Sequence, residues 1–375
     1  MGSEALYSIA LSRVPYLPLP ALVQLFHEVG SATRIMEYRQ DIRQVLPEAS
    51  PMLVNTLRDM DDLLRRADDE LKYNEANNIK TLTLTDPAYP QRLAECADAP
   101  IVLFYKGTAD LNQQRIISIV GTRHSTPYGH DLVRRFMADL RQQCPQVLIV
   151  SGLAYGIDIC AHRCALEQHY ETVGVLAHGL DDLYPSMHRQ TATEMTRQGG
   201  LLTEFTTMTN ADKRNFVRRN RIVAGMADAT ILVESAAKGG GLITCSIARS
   251  YDRDVFAFPG AVGQPYSEGC NNLIRDNGAA LITSAADFVN AMGWEDDAAR
   301  QQMLRQGVER QLFPALSQEE QRVVDALTRQ NDQQVNLLAV QSNIPIGQLT
   351  AILFSLEMKG VVRPQAGGSY HLLNI

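Results

Sequence analysis

A single tryptophan, six cysteines without a CxxC pair, and no apolar run of about eighteen residues mark what this chain of 375 residues lacks. The cysteines, at positions 96, 144, 160, 164, 245 and 270, form no disulfide-like framework, so reduced and mostly buried thiols are expected. Without a long apolar run no membrane-spanning helix is expected, and no membrane partner. An N-terminus lacking a basic n-region, an apolar h-region and a cleavage site places the chain in the cytoplasm. Net positive charge is missing as well: at −7 the protein is acidic, which excludes a generally basic nucleic-acid coat. No GxGxxG is followed by an acid about twenty residues on, and no Gly-Lys-Ser/Thr loop occurs, so neither a dinucleotide fingerprint nor a Walker A cradle is present.

What is there is a globular composition, 45% hydrophobic and 21% charged, long enough for two or three domains. Residues 1–78 carry apolar positions at helical spacing, as in Leu22, Leu25, Phe26 and Val29, broken by Gly30, Pro47 and Pro51 into four or five short helices. From 79 to 294 short apolar strands alternate with helices, the mark of a mostly parallel, doubly wound α/β sheet of Rossmann-like type. The expected strands are 101–105, 115–120, 147–150, 172–177, 201–204, 229–234, 255–258 and 280–282. Residues 295–312, charged and Gln-rich, read as a linker. The last unit, 313–375, places three helices before a hairpin, the order of a winged helix.

In such sheets ligands sit at the carboxyl ends of the strands, where glycines admit the backbone and helix N-termini offer N–H groups to anions. Gly121-Thr122-Arg123, Ser151-Gly152 with Gly156, Glu204-Phe205, and Gly239-Gly240-Gly241 with Thr244 fit that description. Lys213-Arg214-Asn215-Phe216-Val217-Arg218-Arg219-Asn220-Arg221 adds five cations, one aromatic and no acid within nine residues. It opens a helix that leads into the strand 229–234, so its start belongs on the same edge as Arg123. Phosphates on the cations and a base on Phe216 describe single-stranded nucleic acid; a duplex would hide its bases. A solvated helix start is the plain alternative for that stretch.

The stretches ISIVGTR (117–123), VSGLAYGIDICAHRCAL (150–166), GGLLTEF (199–205), KRNFVRRNRIVAGMADATILVESAAKGGGLIT (213–244), FAFPG (256–260) and SEGCNNLIRDNGAALI (267–282) resemble the DprA/Smf family of bacterial DNA-processing proteins of natural transformation. They cover the α/β region in family order. The resemblance implies an extended Rossmann-like core that binds single-stranded DNA with little sequence choice, dimerises through that core and hands the strand to the recombinase RecA. By position it assigns DNA contacts to Arg123, Lys213 and Phe216. Gly121, Thr122, Ser151, Gly152, Gly240, Gly241, Thr244, Arg218, Arg219, Asn220 and Arg221 stand in support. No cofactor or metal and no enzymatic activity are expected.

The family often begins with a helix-hairpin-helix or SAM-like unit whose hairpin carries glycines. Here that place reads Val14-Pro15-Tyr16-Leu17-Pro18-Leu19-Pro20, and prolines lack the N–H groups such a hairpin aims at phosphate, so a structural or partner-docking role is expected. The third helix of the winged unit carries only Glu357 and Lys359 as charges, which points to protein interaction or structure ahead of base reading. Asp158 and His162 lie four apart on one predicted helix, but the thiols of Cys160 and Cys164 on that helix point to another face and no third metal ligand is evident, so ordinary packing is the expectation. Glu204 and Glu234, at strand ends, are the acids of an alternative reading, a nucleotide-processing enzyme of phosphoribohydrolase type. That family's Pro-Gly-Gly-x-Gly-Thr-x-x-Glu run is not matched by Ala236-Ala237-Lys238-Gly239-Gly240-Gly241.

Overall fold

The structure is a computed structural model that describes residues 3–15, 17–294, 316–359, 361–365 and 369–372. The chain forms two compact units that divide near residue 298. The expected linker, Tyr16 of the proline-rich stretch and the Gly367-Gly368 turn lie outside the described residues.

The first unit opens with α1 (Ser3–Ser12), α2 (Leu19–Val29), α3 (Ala32–Glu37), α4 (Pro51–Arg58) and α5 (Asp61–Ala76). Punctuation in the sequence sets their ends. Gly30, at φ +96°, closes α2, while Ser31 and Ser50 accept the Arg34 and Leu53 N–H groups and so cap α3 and α4, with Pro51 in the first turn of α4. Their apolar faces, including Ile9, Leu25, Ile35, Leu57 and Met60, pack in one core with Ile101, Val102 and Phe104. The helices therefore close over the edge of the sheet that follows.

That sheet contains β1 (Lys80–Thr83), β2 (Val102–Gly107), β3 (Ile116–Val120), β4 (Leu148–Ser151), β5 (Thr172–Val175), β6 (Gly199–Thr203), β7 (Ala229–Leu232), β8 (Asp254–Ala257) and β9 (Ala280–Leu281). Its order is β1-β2-β6-β5-β4-β3-β7-β8-β9. From β6 to β9 every pairing is parallel, while β2 meets both β1 and β6 antiparallel. Short α6 (Gln91–Ala94) precedes β2. The crossover helices are α7 (Pro127–Gln143), α8 (Ile157–Glu167), α9 (Arg189–Met195), α10 (Lys213–Gly225), α11 (Gly240–Ser250) and α12 (Glu268–Arg275), and α13 (Ala285–Ala291) follows β9.

Alternation along the strands divides the core into two layers. Ile117, Ile119 and Ile149 face Phe136 of α7, Ala161 of α8 and Phe288 of α13. Leu148, Val150, Val173 and Val175 share the opposite layer with Ile222 and Val223 of α10 and Ala248 of α11. Strand order reverses between β3 and β7, and it is at such a switch point that a doubly wound sheet opens a crevice.

The chemistry considered for α8 resolves into packing. His162 is fully buried, its Nδ1 lies 2.7 Å from the Thr172 hydroxyl, and among the described residues no His, Cys, Asp and Glu cluster is placed to hold a metal ion. Burial, with Arg219 and His188 nearby, pushes the His162 imidazole down to about 3. An unfolded histidine binds its proton near pH 6.5 and the folded one does not, so stability is lost as pH falls below 6.5, by about 1.4 kcal/mol per pH unit toward 3. Urea unfolding at a series of pH values checks this, and His162→Gln is expected to flatten the slope.

The second unit contains α14 (Gln318–Arg329), β10 (Gln333–Gln334), α15 (Val335–Ser342), α16 (Ile346–Met358), β11 (Val362–Gln365) and β12 (Ser369–Leu372), with sheet order β10-β12-β11. Ser317 and Glu320 form a capping box at the start of α14. Glu320 is also bonded to Lys359 and to the Ser355 hydroxyl, each at 2.7 Å. The lysine that follows α16 is thus engaged inside the unit.

Candidate nucleic-acid interface

A cleft of about 1110 Å³ opens where β3, β4 and β7 end. Its walls are the turn Gly121-Thr122-Arg123 after β3, Gly152 after β4, the first turn of α11, and the side of α10 bearing Lys213, Phe216 and Asn220. Three of the four strand ends singled out in the sequence meet here. The fourth, Glu204-Phe205, lines a separate pocket of about 90 Å³ with Arg13 and Arg218.

The glycines act in different ways. A Cβ on Gly121 would lie 2.6 Å from Ile157 Cγ1, and Gly156 holds φ +77° with the Thr122 carbonyl against it, so these two let the β3 turn and the start of α8 touch. Within that turn the Thr122 N–H donates to the Glu234 carbonyl at 2.8 Å. Gly241 packs against Leu232, whereas a Cβ on Gly240 would meet nothing within 4 Å. Gly239 caps α11 without a side-chain bond, so the helix presents an open N-terminus to the cleft.

On the facing wall Phe216 is half-buried and carries Arg123 over its ring, the guanidinium carbon 4.6 Å from the ring centroid. Asp212 caps α10 by accepting the Asn215 N–H at 2.8 Å, which fixes the helix start that displays Lys213. Lys213, Arg214 and Arg123 are exposed, and Asn220 is half-buried beside them. Two cations and an aromatic therefore converge on one apolar-walled crevice, an arrangement suited to a phosphate chain with a base laid on the ring.

The rest of the basic stretch corrects the sequence-based expectation. Arg219 is only 3% exposed: it lies beneath Gly152, where a Cβ would come within 1.7 Å of its Nη1, and Nη1 donates to the Val175 carbonyl at 2.7 Å. Gly152 thus makes room for an arginine. Burial pushes the Arg219 guanidinium down to about 10, with Asp158 opposing the shift. Burial likewise raises the Asp158 carboxyl, against the pull of Arg219 and of the Ala154 amide. Arg221 is buried and donates to Glu204 at 2.6 Å, and half-exposed Arg218 donates to the same carboxylate oxygen at 2.7 Å. Ser151 and Thr244 are buried as well, their hydroxyls donating to the Ile119 and Gly240 carbonyls. Helical spacing thus leaves Lys213, Arg214 and Arg218 with exposed side chains and buries Arg219, at the floor of the cleft, and Arg221.

Both acids of the enzymatic alternative are bound within the protein. Glu204 holds Arg218 and Arg221, while Glu234 accepts the Thr126 N–H at 2.9 Å and the Thr126 hydroxyl at 2.6 Å at the start of α7. Sequence reasoning missed the support beneath the basic helix. Glu70 of α5, 2% exposed, accepts the Thr207 N–H at 2.9 and 3.0 Å and its hydroxyl at 2.7 Å, and Arg66 donates to the Thr207 carbonyl at 2.8 Å. The N-terminal helices thereby tie down the loop that leads into α10. The Arg66–Glu70 pair, four residues apart on α5 and 3.0 Å from each other, was the available signal.

The chain is similar to known proteins over both of its units. Residues 80–293 match the family described as DNA recombination-mediator protein A, and residues 309–368 match the DprA winged helix domain. DNA processing protein DprA of Streptococcus pneumoniae is 34% identical over 259 residues, 68% of this chain and 90% of that protein. The X-ray structure of DNA processing protein A from Streptococcus pneumoniae superposes with a TM-score of 0.64 at 30% identity, covering 78% of this chain and 98% of that one. DNA processing protein A from Helicobacter pylori, solved for its single-stranded DNA binding mode, gives a TM-score of 0.52 at 27% identity over 57% of this chain and 95% of that one. By its α/β sheet and its C-terminal unit alike, the chain belongs to the DNA recombination-mediator protein A family, the DprA/Smf proteins.

Proposed function

We propose that the cleft at the β3/β7 switch point binds single-stranded DNA, with Arg123 and Lys213 on phosphates, Phe216 under a base and the open first turn of α11 at Gly240 on a further phosphate. The observation that carries this is the convergence of two exposed cations on one half-buried aromatic, with Arg123 4.6 Å above the Phe216 ring. The Helicobacter pylori relative, described for its single-stranded DNA binding mode, supports the same ligand. Arg219 and Arg221 keep the helix in place, and Asn220, Gly121, Thr122 and Gly152 shape the walls.

The protein acts in the cytoplasm, shielding incoming single strands and loading the recombinase RecA onto them during natural transformation. It works as a homodimer through the Rossmann-like unit, without catalysis, cofactor or membrane. The edge strand β9, with Leu281 51% exposed, supports an interface on that unit. The engagement of Glu204 and Glu234 inside the protein favours binding over nucleotide cleavage.

Phe216→Ala tests the assignment. Loss of one stacked base is expected to weaken oligothymidylate binding by about 1–3 kcal/mol, read by fluorescence anisotropy, without change in thermal stability. Unchanged affinity would place the strand elsewhere.

A further inference from the structure

Beside the cleft the protein exposes large apolar side chains on two adjoining loops, the one between β5 and α9 and the one between β6 and α10. Tyr184 is 45% exposed and Met187 70% in the first, and Met208 is 78% exposed in the second. Isolated exposed apolar residues are ordinary, but these belong to loops bonded to each other: the Gly179 N–H donates to the Thr209 carbonyl at 3.2 Å and the Met208 N–H to Asp181 at 2.8 Å. The same loop pair reaches the site already described, because the Tyr184 ring lies 5.9 Å from Phe216 at an interplanar angle of 62°. The Tyr184 backbone is itself held, its N–H donating to His178 Nε2 at 3.1 Å, so the ring is presented from a bonded support.

We infer that Tyr184 is a second base platform, continuing the single strand out of the cleft, past Phe216 and onto the loops that follow β5 and β6. This rests on the assignment of Phe216 to a base. The two rings meet edge to face, so a base that follows the one on Phe216 must turn to reach the face of Tyr184; a flexible single strand allows that turn, whereas a duplex holds its bases stacked on each other. Arg123 covers one face of the Phe216 ring, and the strand leaves past Tyr184 at that ring's flank. The ligand class is unpaired nucleobase of any identity, because every base has a π-face.

The test uses the full chain and oligothymidylate of about sixteen nucleotides, the upper range of one single-strand site. Wild type, Tyr184→Ala, Tyr184→Leu, Tyr184→Phe and Phe216→Ala are compared by anisotropy. Tyr184→Ala and Tyr184→Leu are expected to weaken binding about tenfold, and Tyr184→Phe to keep wild-type affinity, since the ring and not the hydroxyl carries the contact. Wild-type affinity in Tyr184→Ala together with a loss in Phe216→Ala would overturn the second platform and leave the cleft assignment standing. Wild-type affinity in both would overturn the cleft assignment itself. Retention in Tyr184→Leu would overturn stacking, because apolar bulk alone would then suffice; this comparison holds even if the alanine variant folds poorly.

Discussion

Removing both cleft cations, as Arg123→Ala with Lys213→Ala, is expected to reduce affinity for single-stranded DNA by about 3–6 kcal/mol, the sum of two hydrogen bonds to a charged partner at about 1.5–3 kcal/mol each. Among the described residues neither cation has an ion-pair partner, so both are free to meet phosphate. Each phosphate contact on a single strand contributes about 0.7 to the slope of log affinity against log salt, so the double variant should flatten that slope by about 1.4. Both side chains are exposed and the melting temperature should not move. Arg123→Lys separates the two tasks of that residue: it keeps the charge but loses the flat group above Phe216, and an affinity between wild type and alanine is expected. Titration of a labelled oligonucleotide at several salt concentrations reads all three quantities.

Glu204→Ala should act on the fold instead. Its carboxylate is shared by Arg218 and Arg221, and the side chain of Arg221 is 7% exposed, so truncation leaves a buried guanidinium with only a backbone carbonyl at Asp98 to meet it. Breaking a buried pair from one side costs about 3–5 kcal/mol, measurable as a lowered urea midpoint. Arg218, half-exposed, recovers water and contributes little. Glu204→Gln keeps an acceptor for one of the two arginines and should cost less. A catalytic acid would behave in the opposite way, its replacement leaving stability untouched, so the same urea experiment bears on the enzymatic alternative.

These two expectations separate residues that the sequence presents as equals. The strands β3, β4, β7 and β8 are legible because both their faces are covered, which makes them short, mostly apolar runs interrupted only by Ser118, Ser151, Thr230 and Asp254. From their alternation with helices, the placement of α10 on the ligand edge follows by topology alone. The strand β1 was not legible. Its four residues, Lys-Thr-Leu-Thr, carry one apolar side chain and take their partner antiparallel from β2, twenty residues on, through Leu82 and Leu103. Nor does any local pattern announce that β2 and β6 run antiparallel, since that depends on a chain excursion of nearly a hundred residues between them.

Within the site the limit is similar. Five cations on one helix look alike until the positions of Glu204, Asp158 and the Val175 carbonyl are known, and each of those comes from another part of the chain. Gly152 illustrates the same point. A glycine at a strand end reads as room for phosphate, yet its missing Cβ is occupied by Arg219. The N-terminal domain was expected to have a structural or partner-docking role because of the prolines between Val14 and Pro20. The bonds from Glu70 and Arg66 to Thr207 give that role a specific object, the loop ahead of α10.

The most direct measurement is a competition between oligothymidylate and a duplex of equal length for the full-length protein, repeated across a salt series. A cleft that lays a base on Phe216 and phosphates on Arg123 and Lys213 should prefer the single strand clearly at every salt concentration, with affinity falling as salt rises. Equal affinity for the two, or a preference for duplex, would contradict it.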